Sequence, residues 1–320
     1  MGNVPEKQWW SATAAFRKLR CPASASPVGW PSRPPISLDD NAGTLAHRAM
    51  QQWVEKNEWR LDDAGARLQG RFDEAVSDAG LGSNAVPNAT VTRARLKSRA
   101  NELVDLLDSA GGTVSCEQLL TDDARHLFGY VDILGTGGSG LVIDLKTGRD
   151  AGPRISAATA HQLIFYAHLF EESYGHLPKQ VVVFSLQHGS VKVEVTRQQV
   201  DELLLGIEQT LASSASVAIP DPEICRFCAR RMSCEPQWKA LDDWPSPDAV
   251  RGTVEKLEIS SAGYVALRLS GEWVTGLSVD AVPAIAAGDH AKIVRLISRP
   301  HTIPREWLAT RSTSIRVESR

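Results

Sequence analysis

The chain has 320 residues, a formal net charge of −3, 42% hydrophobic and 23% charged residues. That length suits one large domain with a small one appended, and the ordinary composition excludes a repetitive or low-complexity chain. No apolar run reaches membrane-spanning length, the start MGNVPEKQWW lacks the basic-then-apolar plan of a signal peptide, and Glu6 stands where a myristoylation motif needs Ser or Thr, so the expectation is a cytoplasmic protein with no membrane partner.

In NAGTLAHRAMQQWVEKN, the residues Leu45, Ala46, Ala49, Met50, Trp53 and Val54 fall on one helical stripe, with His47 at its edge. Further helices are predicted over 63–78 and 93–109, and AGLGSNAVPNAT between them reads as a surface loop. The period then changes from about 3.6 to two. HLFGYVDIL and LVIDLKT read as two strands of a β-hairpin joined by GTGGSG. That glycine run lacks a following Lys-Ser/Thr and joins strand to strand, which argues against a phosphate-binding loop. A helix is predicted over 156–174, then strands QVVVFSLQ and VKVEVT turning around His188, Gly189 and Ser190, then the helix RQQVDELLLGIEQTLAS. This order predicts an α/β core, a mixed sheet flanked by helices.

After Pro247 the pattern becomes short alternating strands with turn residues between them, the signature of a small all-β barrel of OB-like size. The expected domains are 1–243, a linker at 244–248 containing WPSP, and 249–320. Lys292, Arg295, Arg299, Arg305, Arg311, Arg316 and Arg320 form a basic strip there, with Trp307 and Tyr264 as aromatics. Two readings stay open: a surface that stacks and attracts a single strand, or a buried Trp307 beneath a solvated arginine face.

Asp144 and Lys146 lie two apart in LVIDLKTG and therefore share a strand face, and the hairpin brings Asp132 close to them. Paired carboxylates call for a cation, and hard oxygen ligands favour Mg²⁺ or Mn²⁺. Such an ion can polarise a phosphodiester and activate a water, while Lys146 positions that water or stabilises developing negative charge.

GYVDIL followed by VIDLKTG and HQLIFYAHLF resembles the PD-(D/E)xK nuclease superfamily, and within it the RecB-like branch of CRISPR-adaptation and recombination-helicase nucleases. The resemblance spans roughly residues 7–238 and excludes the C-terminal strands. It implies a restriction-endonuclease-like fold and matches His47 to an upstream helical His, Gly129 and Asp132 to a Gly-x-x-Asp strand, and Asp144 and Lys146 to Asp-x-Lys. Gln162 and Tyr166 match a helical pair that shares one face. It implies a metal held by His47, Asp132, Asp144 and the Leu145 carbonyl, with Lys146 acting on the water and Gln162 and Tyr166 orienting the site or a phosphate.

In a cytoplasmic setting the five cysteines do not read as a disulfide framework. CRFCARRMSC gives the tight group Cys225, Cys228 and Cys234, while Cys21 ends WSATAAFRKLRC. The layout is similar to the iron–sulfur members of the RecB-like branch, which implies four thiolates on one 4Fe–4S cluster stapling the chain before the core to the chain after it. A structural Zn²⁺ fits the same spacing and stays open. Cys116 reads as a buried strand thiol. Glu117 beside it matches a Glu frequent in the family, and no direct metal contact is assigned to it.

The expected function is a metal-dependent DNA nuclease acting on single strands or ends, in repair, recombination or defence. No Walker-type Gly-Lys-Ser/Thr motif occurs, so unwinding would need a separate helicase or other protein partner. Two alternatives stand beside it: a catalytically idle nucleic-acid-binding scaffold, and an RNA-directed nuclease.

Overall fold

In a computed structural model, the structure describes residues 8–29, 41–80, 86–147, 155–213, 216–244, 248–299, 301–310 and 312–318. The chain forms two compact units, Met1–Phe16 with Ser26–Ser213, and Arg17–Ala25 with Ser214–Arg320. The segments bearing Cys21, Cys225, Cys228 and Cys234 therefore fall with the C-terminal strands, while Pro245, Ser246 and Pro247 of the expected linker lie outside the described residues.

In the first unit, β1 (Trp10–Ser11) runs into α1 (Ala12–Arg20), and α2 (Ala42–Glu55), α3 (Ala64–Asp78) and α4 (Ala89–Ser109) follow. Asn41 caps α2 by accepting the Thr44 N–H at 3.0 Å, which fixes where the helix begins. α4 begins four residues earlier than the sequence pattern suggests, after Asn88 in a left-handed conformation (φ 65°). Next come β2 (Val114–Asp122), β3 (Leu127–Gly135), β4 (Leu141–Lys146), α5 (Ala157–Tyr174), β5 (Gln180–Ser185), β6 (Gly189–Val193) and α6 (Arg197–Ala212).

The sheet runs β1-β3-β4-β5-β6 with β2 also on β3, and it is mixed: β1 pairs parallel with β3, β4 parallel with β5, and the other pairs are antiparallel. The β3–β4 hairpin matches expectation. Period two assigns its faces: Ile143, Leu145, Val182 and Phe184 join α2, α3 and α4 in one core, whereas Val181 and Val183 pack with Leu163 and Ala167 of α5. Gly140 closes the hairpin at φ 70°, and a Cβ there would meet the Phe170 ring at 2.5 Å.

The other end of that hairpin layer is fixed by Asp122. Its carboxylate accepts from the backbone N–H groups of Ala124 and Arg125, both at 3.0 Å, from the Arg125 guanidinium at 3.1 Å, and contacts His168 Nε2 at 2.9 Å. Burial raises its pKa, but these partners outweigh burial and hold it below the usual carboxylate range.

In the second unit, α7 (Pro222–Cys225) and α8 (Glu235–Ala240) precede β7 (Ala249–Ile259), β8 (Tyr264–Leu269), β9 (Glu272–Ser278), β10 (His290–Val294), β11 (Ile297–Arg299), β12 (Glu306–Leu308) and β13 (Ser314–Glu318). These seven strands form one sheet ordered β11-β12-β9-β8-β7-β10-β13. The expected small barrel takes the form of a curled half-barrel, with β11 and β13 ending the sheet without pairing to each other among the described residues.

Trp307 is 1% exposed in that core, its indole N–H donating to Glu272 at 2.7 Å and Arg305 lying 4.2 Å from the ring centre. Of the two open readings, Trp307 follows the buried one: no face of it reaches solvent. Lys292 is likewise buried and paired with Glu235 and Glu318, both at 2.8 Å, and Arg299 pairs with Glu306; Arg311 and Arg320 lie outside the described residues. Among the described residues, no helix is long and apolar enough to cross a membrane.

Replacing Trp307 by Ala is expected to destabilise the second unit by about 3–5 kcal/mol, the usual cost of emptying a buried Trp site. Chemical denaturation followed by circular dichroism measures it; an unchanged midpoint would contradict the core assignment.

Candidate active site

β3 and β4 pair only through Ile133↔Ile143, Leu134↔Val142 and Gly135↔Leu141, while β4 stays paired with β5 as far as Lys146↔Ser185. The two strands therefore part at Asp132 and Asp144. Instead of a β3 carbonyl, the Leu145 N–H finds the Asp132 carboxylate, donating to Oδ2 at 2.6 Å. The Lys146 carbonyl accepts from Leu186 on the β5 side, so by strand alternation the Leu145 carbonyl faces the β3 side together with its own N–H.

His47 enters from α2. Gly43 in the first turn of α2 approaches β4 so closely that a Cβ would lie 3.1 Å from Thr147 Oγ1, which sets the helix against the strand end. His47 Nε2 then lies 3.5 Å from Asp132 Oδ1 and Nδ1 lies 3.8 Å from Glu117 Oε1. His47, Glu117 and Asp132 can each offer one ligand atom with all three atoms within 4.8 Å, a group able to hold a metal ion. Burial lowers the His47 pKa, but the Asp132 hydrogen bond and the charges of Asp132, Glu117 and Asp144 outweigh it and raise the value.

Glu117 joins this group although the sequence reading assigned it no metal contact. It sits in β2 between Cys116↔Ile133 and Gln118↔Val131, opposite Asp132 in register, with φ 47°. A left-handed non-glycine residue inside a strand costs on the order of 1–3 kcal/mol, a strain found most often at functional sites. Its only sequence signal is the resemblance, because TVSCEQLL shows no clear alternation. Cys116 beside it is half-buried against the core, with Sγ 3.8 Å from the Gln51 carbonyl.

Asp144 is 1% exposed. Its partner Lys146 donates to Oδ1 at 3.1 Å and lies 2.8 Å from Oδ2, but off the hydrogen-bond direction, so Oδ2 is buried without a hydrogen bond among the described residues. Burial pushes the Asp144 pKa up to about 6, and the nearby Asp132 charge adds to that; Lys146 and His47 only partly offset it. Lys146 also donates to Gln162 Oε1 at 3.5 Å, and Gln162 Nε2 donates to the Tyr166 hydroxyl at 2.9 Å. A continuous chain thus runs Asp144, Lys146, Gln162, Tyr166. Gly129 makes room for its end, since a Cβ there would sit 2.6 Å from Tyr166 Cε1.

Beside Thr147 opens a cleft of about 560 Å³ lined by Asn41, Gly43, Asn88, Thr92, Arg95 and Gln187, among others. The Arg95 guanidinium makes no ion pair or hydrogen bond among the described residues. The compact group Asp122, His168 and Glu172 differs from the His47 group, because the Asp122 oxygens are already engaged by the backbone, Arg125 and His168.

Cys21, Cys225, Cys228 and Cys234 line one cavity of about 410 Å³ in the second unit, and all are free thiols. Segments some two hundred positions apart meet there: Ile219 N–H donates to Cys21 Sγ at 3.3 Å, Arg230 donates to the Ala23 carbonyl at 3.1 Å, and Arg20 pairs with Asp221. Burial pushes the Cys225 thiol up to about 11, with the charges of Cys234, Cys228 and Cys21 adding to it. The sulfurs do not close into a tight ligand set, since no three of them fall within 4.8 Å of one another.

Gly129→Ala is expected to lose about 1–3 kcal/mol of stability, as overpacking does, because the methyl would drive the Tyr166 ring off the strand. Urea denaturation checks it; wild-type stability would show that the strand and helix can separate freely.

Comparison with known families finds that residues 10–235 match the model of the PD-(D/E)XK nuclease superfamily. No curated protein matches the chain. Among solved structures, the chain is similar to the SSO0001 protein (13% identity, 74% of this chain and 90% of that one, TM-score 0.33) and to a protein described as an exonuclease from Eubacterium rectale (11%, 72% and 88%, 0.39). It is also similar to RecJ from Thermus thermophilus, solved with Mn²⁺ (11% identity, 86% of this chain and 41% of that one, TM-score 0.22). With the family model covering most of the chain and the mixed sheet carrying Asp132, Asp144 and Lys146 at its parting strands, the protein belongs to the PD-(D/E)XK nuclease superfamily.

Proposed function

We propose that the protein is a divalent-metal-dependent DNA nuclease acting on single strands or ends. The observation that carries this reading is the grouping of His47, Glu117 and Asp132, with ligand atoms within 4.8 Å of one another, where the strands bearing Asp132 and the buried Asp144 part. A cation fits that donor set: two carboxylates, the His47 imidazole, the Leu145 carbonyl and, from its position, Glu117. Oxygen donors with one imidazole suit Mg²⁺ or Mn²⁺. Bound there, such an ion polarises the scissile phosphodiester and acidifies a water.

The chain's own groups do the rest. Asp144 holds the Lys146 ammonium at the site, and that ammonium is placed to orient the attacking water or to stabilise negative charge developing on the phosphate. Gln162 fixes Lys146 from the other side and is itself held by Tyr166. Hydrolysis forms a bond from water oxygen to phosphorus and breaks one phosphorus–oxygen ester bond. The cleft beside Thr147, with Arg95 unpaired among the described residues, suits the phosphates of the strand leading to the site.

For the cysteine cavity we propose a 4Fe–4S cluster. What supports it is that Cys21 and the tight group Cys225, Cys228 and Cys234 line one cavity, and a structural Zn²⁺ is the alternative for the same four thiols. Repair, recombination or defence is the setting such an activity serves, with any unwinding supplied by a separate helicase.

The test is cleavage of end-labelled single- and double-stranded DNA and RNA with Mg²⁺, Mn²⁺ or chelator. Cleavage of DNA that stops with chelator is the expected result, and Asp144→Asn and Lys146→Ala are each expected to lower the rate about a hundredfold or more without unfolding the protein. Near-wild-type rates in both variants would overturn the site; cutting of RNA alone would make it an RNA nuclease, and binding without cutting a scaffold. Arg95→Ala is expected to weaken single-strand binding and to lower the salt slope of affinity by about one, as loss of one phosphate contact does. Binding measured at several salt concentrations checks it, and unchanged slopes would remove the strand from this cleft.

A further inference from the structure

We infer that Gln237 and Arg231 are hydrogen-bond donors to a thiolate-bound metal centre in the cysteine cavity, each serving the cysteine three residues before it. The inference rests on the four-cysteine reading and adds residues that the cysteine spacing does not reveal.

Gln237 is 0% exposed and lines the cavity, yet neither its Nε2 nor its Oε1 has a hydrogen-bond partner among the described residues. Arg231 is 3% exposed and lines the same cavity. Its terminal nitrogens grip Asp248, NH1 at 3.0 Å, and leave Nε buried and unpartnered. A fully buried amide or guanidinium N–H left unpaired is costly, and two of them at one cavity call for an acceptor inside it.

The sulfurs supply that acceptor. Cys21 and Cys225 already receive backbone donors, Ile219 N–H at 3.3 Å and Asp221 N–H at 3.5 Å. Cys228 and Cys234 receive none among the described residues; the Cys228 thiol instead points to the Ser24 carbonyl at 4.0 Å. Arg231 follows Cys228 by three positions, within a turn closed by the Arg231 N–H to the Cys228 carbonyl at 3.2 Å. Gln237 follows Cys234 by three, beside Trp238, whose N–H reaches the Cys234 carbonyl at 3.2 Å. Four thiolates carry more negative charge than a cubane core or a zinc ion neutralises, and the positive charge of Arg231 is already balanced by Asp248. The remaining thiolate charge must then be met by oriented N–H groups, which also raise a cluster's reduction potential.

The test reconstitutes the full chain with iron and sulfide under anaerobic conditions and compares it with Gln237→Met, which keeps the shape and loses the donor, and Gln237→Glu, which puts an anion in its place. Arg231→Lys, which keeps a charge for Asp248 and deletes Nε, is the parallel variant. The wild type is expected to hold about four irons. Gln237→Met and Arg231→Lys are expected to bind iron, to show midpoint potentials shifted negative, and to release iron to a chelator on the order of tenfold faster. Gln237→Glu is expected to retain the least. Folded variants with wild-type potentials and release rates would overturn the inference while leaving the four-cysteine site in place. A wild type that takes zinc and refuses iron would overturn the cluster, with faster zinc release from the variants still supporting the donors. A wild type that takes neither metal would overturn both.

Discussion

The Asp132 carboxylate occupies the place of a backbone acceptor. Where β3 and β4 part, it receives the Leu145 N–H that a continuing ladder would have given to a β3 carbonyl. That one bond lets the strands separate without orphaning a buried N–H, at the level of Asp144 and Lys146 on the neighbouring strand. Without the separation, Asp132 and Asp144 would be opposed in a regular ladder with no room for a cation or a phosphate. With it, Asp144 sits buried beside a second carboxylate, and burial first, then the Asp132 charge, raises its pKa despite Lys146 alongside.

Helices on the two faces of the sheet finish the site by close backbone approach. Gly43 lets the first turn of α2 rest against Thr147 and so delivers His47 to Asp132; Gly129 lets the Tyr166 ring lie on β3 and so delivers Gln162 to Lys146. Asp122 and His168 pin α5 to the far end of β2, fixing the helix along its length. Packing and chemistry are thus joined at the same residues: small side chains where helices must approach, polar ones where the strands open.

Much of this was legible in the sequence. The period change after residue 109 marked the sheet, the spacing of Asp144 and Lys146 put both on one strand face, and Gln162 and Tyr166 sat one helical turn apart. β2 was read only as a strand at Cys116, without bounds, because VSCEQLLTD does not alternate: only Leu120 and Asp122 in it are buried. Glu117 escaped for a related reason, since a left-handed residue inside a strand breaks the very period used to assign faces. The C-terminal strands were legible as strands, but alternation does not say whether a sheet closes, and Trp307 among arginines left a binding face and a buried core both open because composition cannot tell a buried indole from an exposed one. The partners of Lys292 and Arg231 were equally invisible, as Glu235 and Asp248 are remote from at least one of them in sequence.

The central claim is that the parted strands create one cation site from Asp132, Asp144 and His47. Calorimetric titration of the chain with Mn²⁺ measures this directly, compared with Asp132→Asn, which keeps the acceptor for the Leu145 N–H and removes the charge. The expected result is one ion bound at this site by the wild type and at least about tenfold weaker binding by the variant, as loss of a charged ligand implies. Equal binding by the two proteins would place the ion elsewhere and contradict the account.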